Sequence, residues 1–188
     1  MNIAVLTSGG RVIVRPDTTW ERKGEDFFSP GYIDSISYSP VLYARISKPG
    51  RSIARRFATR YYDGIGFGLL LFPENLIDGS DEGYAAASCI DHTSYLPVTL
   101  FNPVTLGEEG NEFILEKDGE ELFRCNAATR AEIDEALEKV TERTFLRTGD
   151  MIAIELQPRA PLSSRIDGKT LISATYCDNP TIEFSIIY

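Results

Sequence analysis

The sequence has little of what metal and redox sites are usually built from. Histidine occurs once in 188 residues, as His92, and the three cysteines, Cys89, Cys125 and Cys177, are far apart and odd in number. No C-x-x-C is present, which argues against the common zinc and thioredoxin-type spacings and predicts reduced thiols in a reducing compartment. No apolar run approaches the ~20 residues of a membrane span. The start, Met1-Asn2-Ile3-Ala4-Val5-Leu6, turns polar at Thr7-Ser8-Gly9-Gly10 and has no basic lead-in. It therefore does not read as a signal peptide, and a cytoplasmic location is expected. Positive charge is scarce as well: 19 Lys and Arg stand against 28 Asp and Glu, for a net charge of −9. Nucleic acid and anionic membrane are excluded as main partners, since both need a positive field.

What is present reads as one strand-rich α+β domain over residues 1–188. A chain of this length can hide roughly 70% of its unfolded surface, so folding needs neither disulfide nor structural metal. Short strands are expected at Ile3–Leu6 and Val12–Val14, around a Gly-Gly turn. A Tyr-, Ile-, Val- and Leu-rich strand is expected from Ser35 to Ile46, with Pro40 marking an edge or a bulge. Ser52 caps an expected helix reaching Tyr62, with Ile53, Phe57 and Tyr61 on one face. Ile65 to Phe72 is continuously apolar and predicts a strand buried on both faces, while residues 73–96 are mixed, with loops at Asp78-Gly79 and Asp81-Glu82-Gly83. Asp118-Gly119 predicts a type I′ hairpin, and Thr129-Arg130-Ala131-Glu132 a capping box opening a helix with Ile133, Leu137 and Val140 inward. Strands at Met151–Leu156, 170–176 and 181–187 complete the chain.

Several clusters invite a chemical reading and have a plainer one. Cys89, Asp91 and His92 suggest a Cys–His nucleophile, but closeness in sequence gives neither spatial approach nor a thiolate. Gly64-Ile65-Gly66-Phe67-Gly68 follows a helix rather than opening one, so close backbone packing explains it better than phosphate binding. Arg45, Lys48, Arg51, Arg55, Arg56 and Arg60 form the one basic stretch, an anion site or a solvated surface. Asp78, Asp81 and Glu82 are a fragment of a calcium loop that lacks its remaining spacing.

The order of features resembles a known family. Arg15-Pro16-Asp17 and Phe27-Phe28-Ser29-Pro30 precede Arg45-Ile46-Ser47-Lys48-Pro49-Gly50 and Ile53-Ala54-Arg55-Arg56-Phe57-Ala58. Then come Tyr61-Tyr62-Asp63-Gly64-Ile65-Gly66-Phe67-Gly68, the hairpin Leu115-Glu116-Lys117-Asp118-Gly119-Glu120 and the turn Thr148-Gly149-Asp150-Met151-Ile152. From about residue 12 to the C-terminus the chain resembles the compact, one-domain members of the fumarylacetoacetate hydrolase family. The resemblance implies a mixed β-sandwich roll, like the C-terminal domain of fumarylacetoacetate hydrolase, and pairing as a homodimer or with an active relative.

It also implies a carboxylate-held Mg²⁺ or similar cation, with two ligands from an E-x-E strand whose i and i+2 side chains share a face. In this chain the E-x-E positions fall on Ser39 and Val41, and the third, an Asp after the G-x-G strand, on Leu70. The family's catalytic Lys position is taken by Ser88, ahead of Cys89-Ile90-Asp91. The family's T-G-T-P loop corresponds to Ile154-Glu155-Leu156-Gln157-Pro158, and the N-terminal segment that supplies its acid/base His holds none. The expectation is therefore a catalytically degenerate member, a binding or structural protein with no cofactor and no metal. The alternative is a hydrolase or lyase on small oxo-acids, metal-independent or with rearranged ligands, using Asp91, His92 and Glu155 as acid/base groups. Ser88, Glu155 and Arg159 are the candidates for a residual polar pocket.

Overall fold

Residues 35–46 carry apolar side chains on both faces of one strand, and the rest of the chain is layered around it. The computed structural model describes residues 1–188. β1 (Asn2–Leu6) and β2 (Val12–Pro16) form an antiparallel pair around the Gly-Gly turn. The two-residue strands β3 (Trp20–Glu21) and β4 (Phe27–Phe28) follow. The long antiparallel pair β5 (Ser35–Ile46) and β6 (Tyr62–Pro73) comes next. A short helix α1 (Asp81–Ala87) leads to β7 (Ser94–Tyr95). The hairpin of β8 (Phe113–Lys117) and β9 (Glu120–Cys125) turns at Asp118 and Gly119, whose φ values of 52° and 83° are those a type I′ turn needs. Helix α2 (Arg130–Thr141) opens with the Thr129–Glu132 capping box. β10 (Met151–Glu155), β11 (Ala160–Ser164), β12 (Lys169–Tyr176) and β13 (Asn179–Ile187) end the chain.

Two sheets result. The larger runs β2-β1-β10-β5-β6-β7-β3, with β11 also on β5, and the smaller runs β4-β13-β12-β8-β9. Alternation along β5 and β6 divides the interior into two layers. Ile36, Tyr38, Leu42, Ala44 and Ile46, with Ile65, Phe67, Leu69 and Leu71, enter the main core shared with the smaller sheet and with Ile133, Leu137 and Val140 of α2. Val41, Tyr43, Leu70 and Phe72 face the other way and pack with Ile3, Val5, Met151 and Ala153 under Ala87 and Leu96. Each buried aliphatic or aromatic side chain contributes about 1.5–3 kcal/mol to folding. The second layer explains two glycines. A Cβ on Gly66 would strike the Tyr43 ring, whose hydroxyl donates to Pro97 O, and a Cβ on Gly68 would lie 2.6 Å from Leu96.

The structure corrects four local expectations. Pro40 lies at neither an edge nor a bulge; it sits inside β5, where the partner strand changes from β10 (beside 41–45) to β11 (beside 35–38). Its carbonyl, accepting from Leu156 N at 2.9 Å, points to that seam, so the missing N–H costs no ladder bond. Ser52 caps nothing: it has φ 52°, and the expected helix is only a 3₁₀ stretch, Arg55–Arg60. The segment before it is held out of the helix because Ser52 N and Ile53 N bond to Thr141 O and Oγ1 of α2. α1 lies where a loop was expected, capped by Ser80 Oγ accepting from Gly83 N. β11 was not foreseen at all; five residues with a proline give no alternating signal.

Candidate functional site

Ser39 and Val41 lie two apart on β5, so their side chains share one face, and Leu70 stands directly opposite Ser39 in the β5–β6 register. Glu155 of β10 stands directly opposite Val41 on the other side. The three strands thus bring one hydroxyl, two aliphatic side chains and one carboxylate to a common patch. Ser39, Val41 and Leu70 are fully buried, each with 0% exposure. Ser39 Oγ makes no hydrogen bond of good geometry, although it lies close enough to Glu155 to favour its charged form.

Glu155 is the polar edge of this patch. It accepts from Ser8 N at 3.0 Å and from Ser8 Oγ at 3.4 Å. Burial nevertheless raises its carboxyl above the ordinary carboxylate value, against the lowering effect of these bonds and of Arg15. A cavity of about 200 Å³ adjoins it, lined by Thr7, Ser8, Gly9, Arg11, Tyr84 and Arg159. Arg159 is held at its far side by Glu74, 2.9 Å away, and lies over the Phe72 ring, on which Tyr84 stacks. Burial pushes the Tyr84 hydroxyl up to about 12, helped by the nearby Glu155 charge.

Behind this cavity lies a residue that sequence reasoning quoted but gave no role. Arg15 is fully buried and donates to Ser88 O (3.0 Å), Thr93 O (3.2 Å), Leu71 O (2.8 Å) and Thr93 Oγ1 (3.0 Å). It bolts β2 to β6 and to the loop after α1. Burial lowers its pKa to about 10, because no carboxylate touches it to offset the lost solvation.

The other expected residues divide between different places. Asp91 and His92 do not meet Glu155; they line a separate cavity of about 480 Å³ with Glu21, Glu25, Asp26, Phe27, Phe28 and Tyr32. There His92 Nδ1 lies 2.6 Å from Glu21 Oε2. Glu21 is the partner sequence reasoning missed, since nothing in the chain links positions 71 residues apart. Ser88 is buried, with its hydroxyl donating to Tyr84 O, and it lines a groove beside β2 rather than the cavity of Arg159. Cys89 is exposed, between that groove and the His92 cavity. Five of the six residues of the basic stretch are engaged within the molecule: Arg45 with Asp63, Arg55 with Glu135 and the Ala131 carbonyl, Lys48 over Tyr61, and Arg56 and Arg60 over Phe57. Asp78 accepts from Ser80 N and Oγ, which builds the cap of α1 rather than a calcium loop.

Solved structures with the same fold are readily found. A Yersinia pestis protein described as a candidate member of the fumarylacetoacetate hydrolase family superposes with a TM-score of 0.80 at 17% identity, covering 99% of this chain and 92% of that one. Fumarylpyruvate hydrolase from Pseudomonas aeruginosa, solved with Mn²⁺ and pyruvate, gives 0.79 at 13% identity over 100% and 89%. A 5-carboxymethyl-2-hydroxymuconate delta-isomerase from Mycobacterium smegmatis gives 0.81 at 15% identity over 99% and 78%. No family sequence profile and no curated protein matches the chain. The fold is thus that of fumarylacetoacetate hydrolase-type hydrolases and isomerases.

That fold implies a metal, and the residues present do not fit one at the Ser39–Leu70 patch. Mg²⁺ and Mn²⁺ want about six oxygen ligands with carboxylate charge among them. Here a single carboxylate, Glu155, meets two aliphatic side chains and one unpartnered hydroxyl. No step of chemistry can be routed through a cation held by this set.

Proposed function

We propose that this chain is a one-domain member of the fumarylacetoacetate hydrolase family in which packed side chains have replaced the metal centre. At that cleft it works as a non-catalytic binding or structural protein, as a homodimer or paired with an active relative. One observation carries the reading. Ser39, Val41 and Leu70 share a face and an alignment suited to a three-carboxylate site, and that face is closed by the apolar layer of Tyr43, Phe72, Ile3 and Met151. A Lewis-acid cation supplies several kcal/mol of transition-state stabilisation in such enzymes, and nothing here replaces that contribution. The test is metal content: protein incubated with Mg²⁺ or Mn²⁺, desalted and analysed, is expected to carry far less than one ion per chain. A stoichiometric ion would overturn the reading.

A second reading is a metal-independent enzyme on small oxo-acids, favoured by Glu155 and Arg159 lining one cavity. A buried carboxyl can exchange a proton with a bound molecule, and a guanidinium can hold a carboxylate. Turnover separates the two: hydrolysis of an acylpyruvate by EDTA-treated protein that is lost in Glu155→Gln and Arg159→Ala supports the second reading, and no turnover supports the first.

A further inference from the structure

The cavity between β3, β4 and the loop joining α1 to β7 holds an arrangement unrelated to the Ser39–Leu70 patch. We propose that Glu21 and His92 form a metal-independent site that hydrolyses neutral or cationic esters, with His92 as general base and Glu21 as its positioning residue.

The geometry of the pair is that of an oriented imidazole. Glu21 is almost fully enclosed, its side chain 4% exposed, whereas that of His92 is 61% exposed to the cavity. Glu21 Oε1 accepts from Lys23 N at 2.7 Å, which leaves Oε2 aimed at His92 Nδ1. Burial would raise the Glu21 carboxyl, but the Lys23 amide, His92 and the Glu25 amide outweigh it and hold it below its ordinary value. An ionised carboxylate only accepts, so Nδ1 carries the hydrogen and Nε2 presents its lone pair. His92 also adopts φ 58°, a left-handed conformation unfavourable for a non-glycine residue, and His92 N bonds to Thr18 O at 3.1 Å to keep it there. Backbone and side chain are both fixed, by separate bonds from the β2–β3 segment.

The walls define what fits. Phe27, Phe28 and Tyr32 give an aromatic side, with Phe28 71% exposed at the rim. The ionisable groups facing His92 in the cavity are Glu21, Glu25, Asp26, Asp91, Tyr32 and Cys89, and no Lys or Arg lines it. Such a cavity repels anions and accepts neutral or cationic molecules. It is therefore unsuited to oxo-acid anions.

The step balances without a co-reactant. His92 Nε2 takes a proton from water as the water oxygen bonds to the ester carbonyl carbon, and the C=O π pair moves to oxygen. On collapse that pair re-forms the carbonyl, and the bond to the alkoxy group breaks with its electrons. The imidazolium then returns its proton to the departing alkoxide, giving acid and alcohol.

The test uses tag-free protein, in which His92 is the single histidine. Hydrolysis of p-nitrophenyl acetate is compared with that by free imidazole at equal molarity. The expected wild-type rate is at least ~10-fold higher, since positioned general bases contribute about 10²–10⁴. His92→Ala falls to background, no acetylated protein accumulates during turnover, and p-nitrophenyl hemisuccinate reacts more slowly than the acetate. Glu21→Gln loses kcat with KM unchanged, and ¹⁵N NMR shows a single Nδ1–H tautomer in the wild type that becomes mixed in this variant. A wild-type rate no better than imidazole, full activity in His92→Ala, a Cys89 acetyl-enzyme intermediate seen by mass spectrometry, or an Nε2–H tautomer in the wild type would each overturn the proposal. Metal binding has no part in these readouts, so failure here is distinct from failure of the metal-loss reading.

Discussion

Leu70 stands directly opposite Ser39 across the β5–β6 ladder, and both side chains are fully buried. The two nevertheless contribute differently to stability. Leu70 fills an apolar layer, so Leu70→Ala is expected to cost about 2–5 kcal/mol. Ser39 Oγ has no partner of good geometry, so Ser39→Ala is expected to be neutral or slightly stabilising, within about 0.5 kcal/mol. Urea unfolding of both variants checks this. A large loss in Ser39→Ala would mean the hydroxyl has a partner the present geometry does not give it.

If Ser39, Val41 and Leu70 occupy the ligand positions, carboxylates placed there should recover cation binding. The variant Ser39→Glu, Val41→Glu, Leu70→Asp is expected to be strongly destabilised without metal, because three charges then share a desolvated face. Mn²⁺ should raise its melting temperature and leave the wild type unchanged, as a ligand of the folded state alone must do. A folded triple variant indifferent to Mn²⁺ would show that the positions are wrongly assigned.

Arg15 is expected to be among the most sensitive positions in the chain. Arg15→Met leaves the Ser88 and Leu71 carbonyls without this donor, while Thr93 O keeps its bond from Leu71 N, and each orphaned buried group costs about 1–3 kcal/mol. Relief of the buried charge offsets only part of this, so a net loss of about 2 kcal/mol or more is expected. Denaturant midpoints measure it directly.

Glu155 gives a pH-dependent prediction. Burial sets its folded-state pKa above the ordinary 4.5, so the folded state favours the neutral form. Stability held below pH 4.5 is then lost as pH rises through the folded-state value. Glu155→Gln is expected to melt higher than the wild type at pH 8, with the difference closing below pH 4.5. A variant less stable than the wild type at pH 8 would show that the Ser8 bonds outweigh the desolvation of the charge.

Much of the fold was legible because its signals are local and periodic. The Ser35–Ile46 run, the Asp118-Gly119 turn and the Thr129–Glu132 capping box each specify an element through neighbouring residues. What escaped depends on contacts distant in sequence. Thr141 holds Ser52 and Ile53 out of a helix from 88 or more residues away, which no helical spacing of Ile53, Phe57 and Tyr61 reveals. The candidate site divides in the same way. That Ser39 and Val41 share a face could be counted along one strand, whereas Glu21 had no signal pointing to His92. Asp91, His92 and Glu155 looked like one group in sequence terms and lie in two cavities.

The central proposal is that the Ser39–Leu70 face does not hold a divalent cation. Titration of Mn²⁺ into the wild-type protein, followed by electron paramagnetic resonance, tests it most directly, because bound Mn²⁺ loses the sharp six-line signal of the free ion. The expected result is a signal that grows with added Mn²⁺ as it does in buffer. Loss of the first equivalent per chain, restored by displacement with excess Mg²⁺ and abolished in Glu155→Gln, would contradict the account.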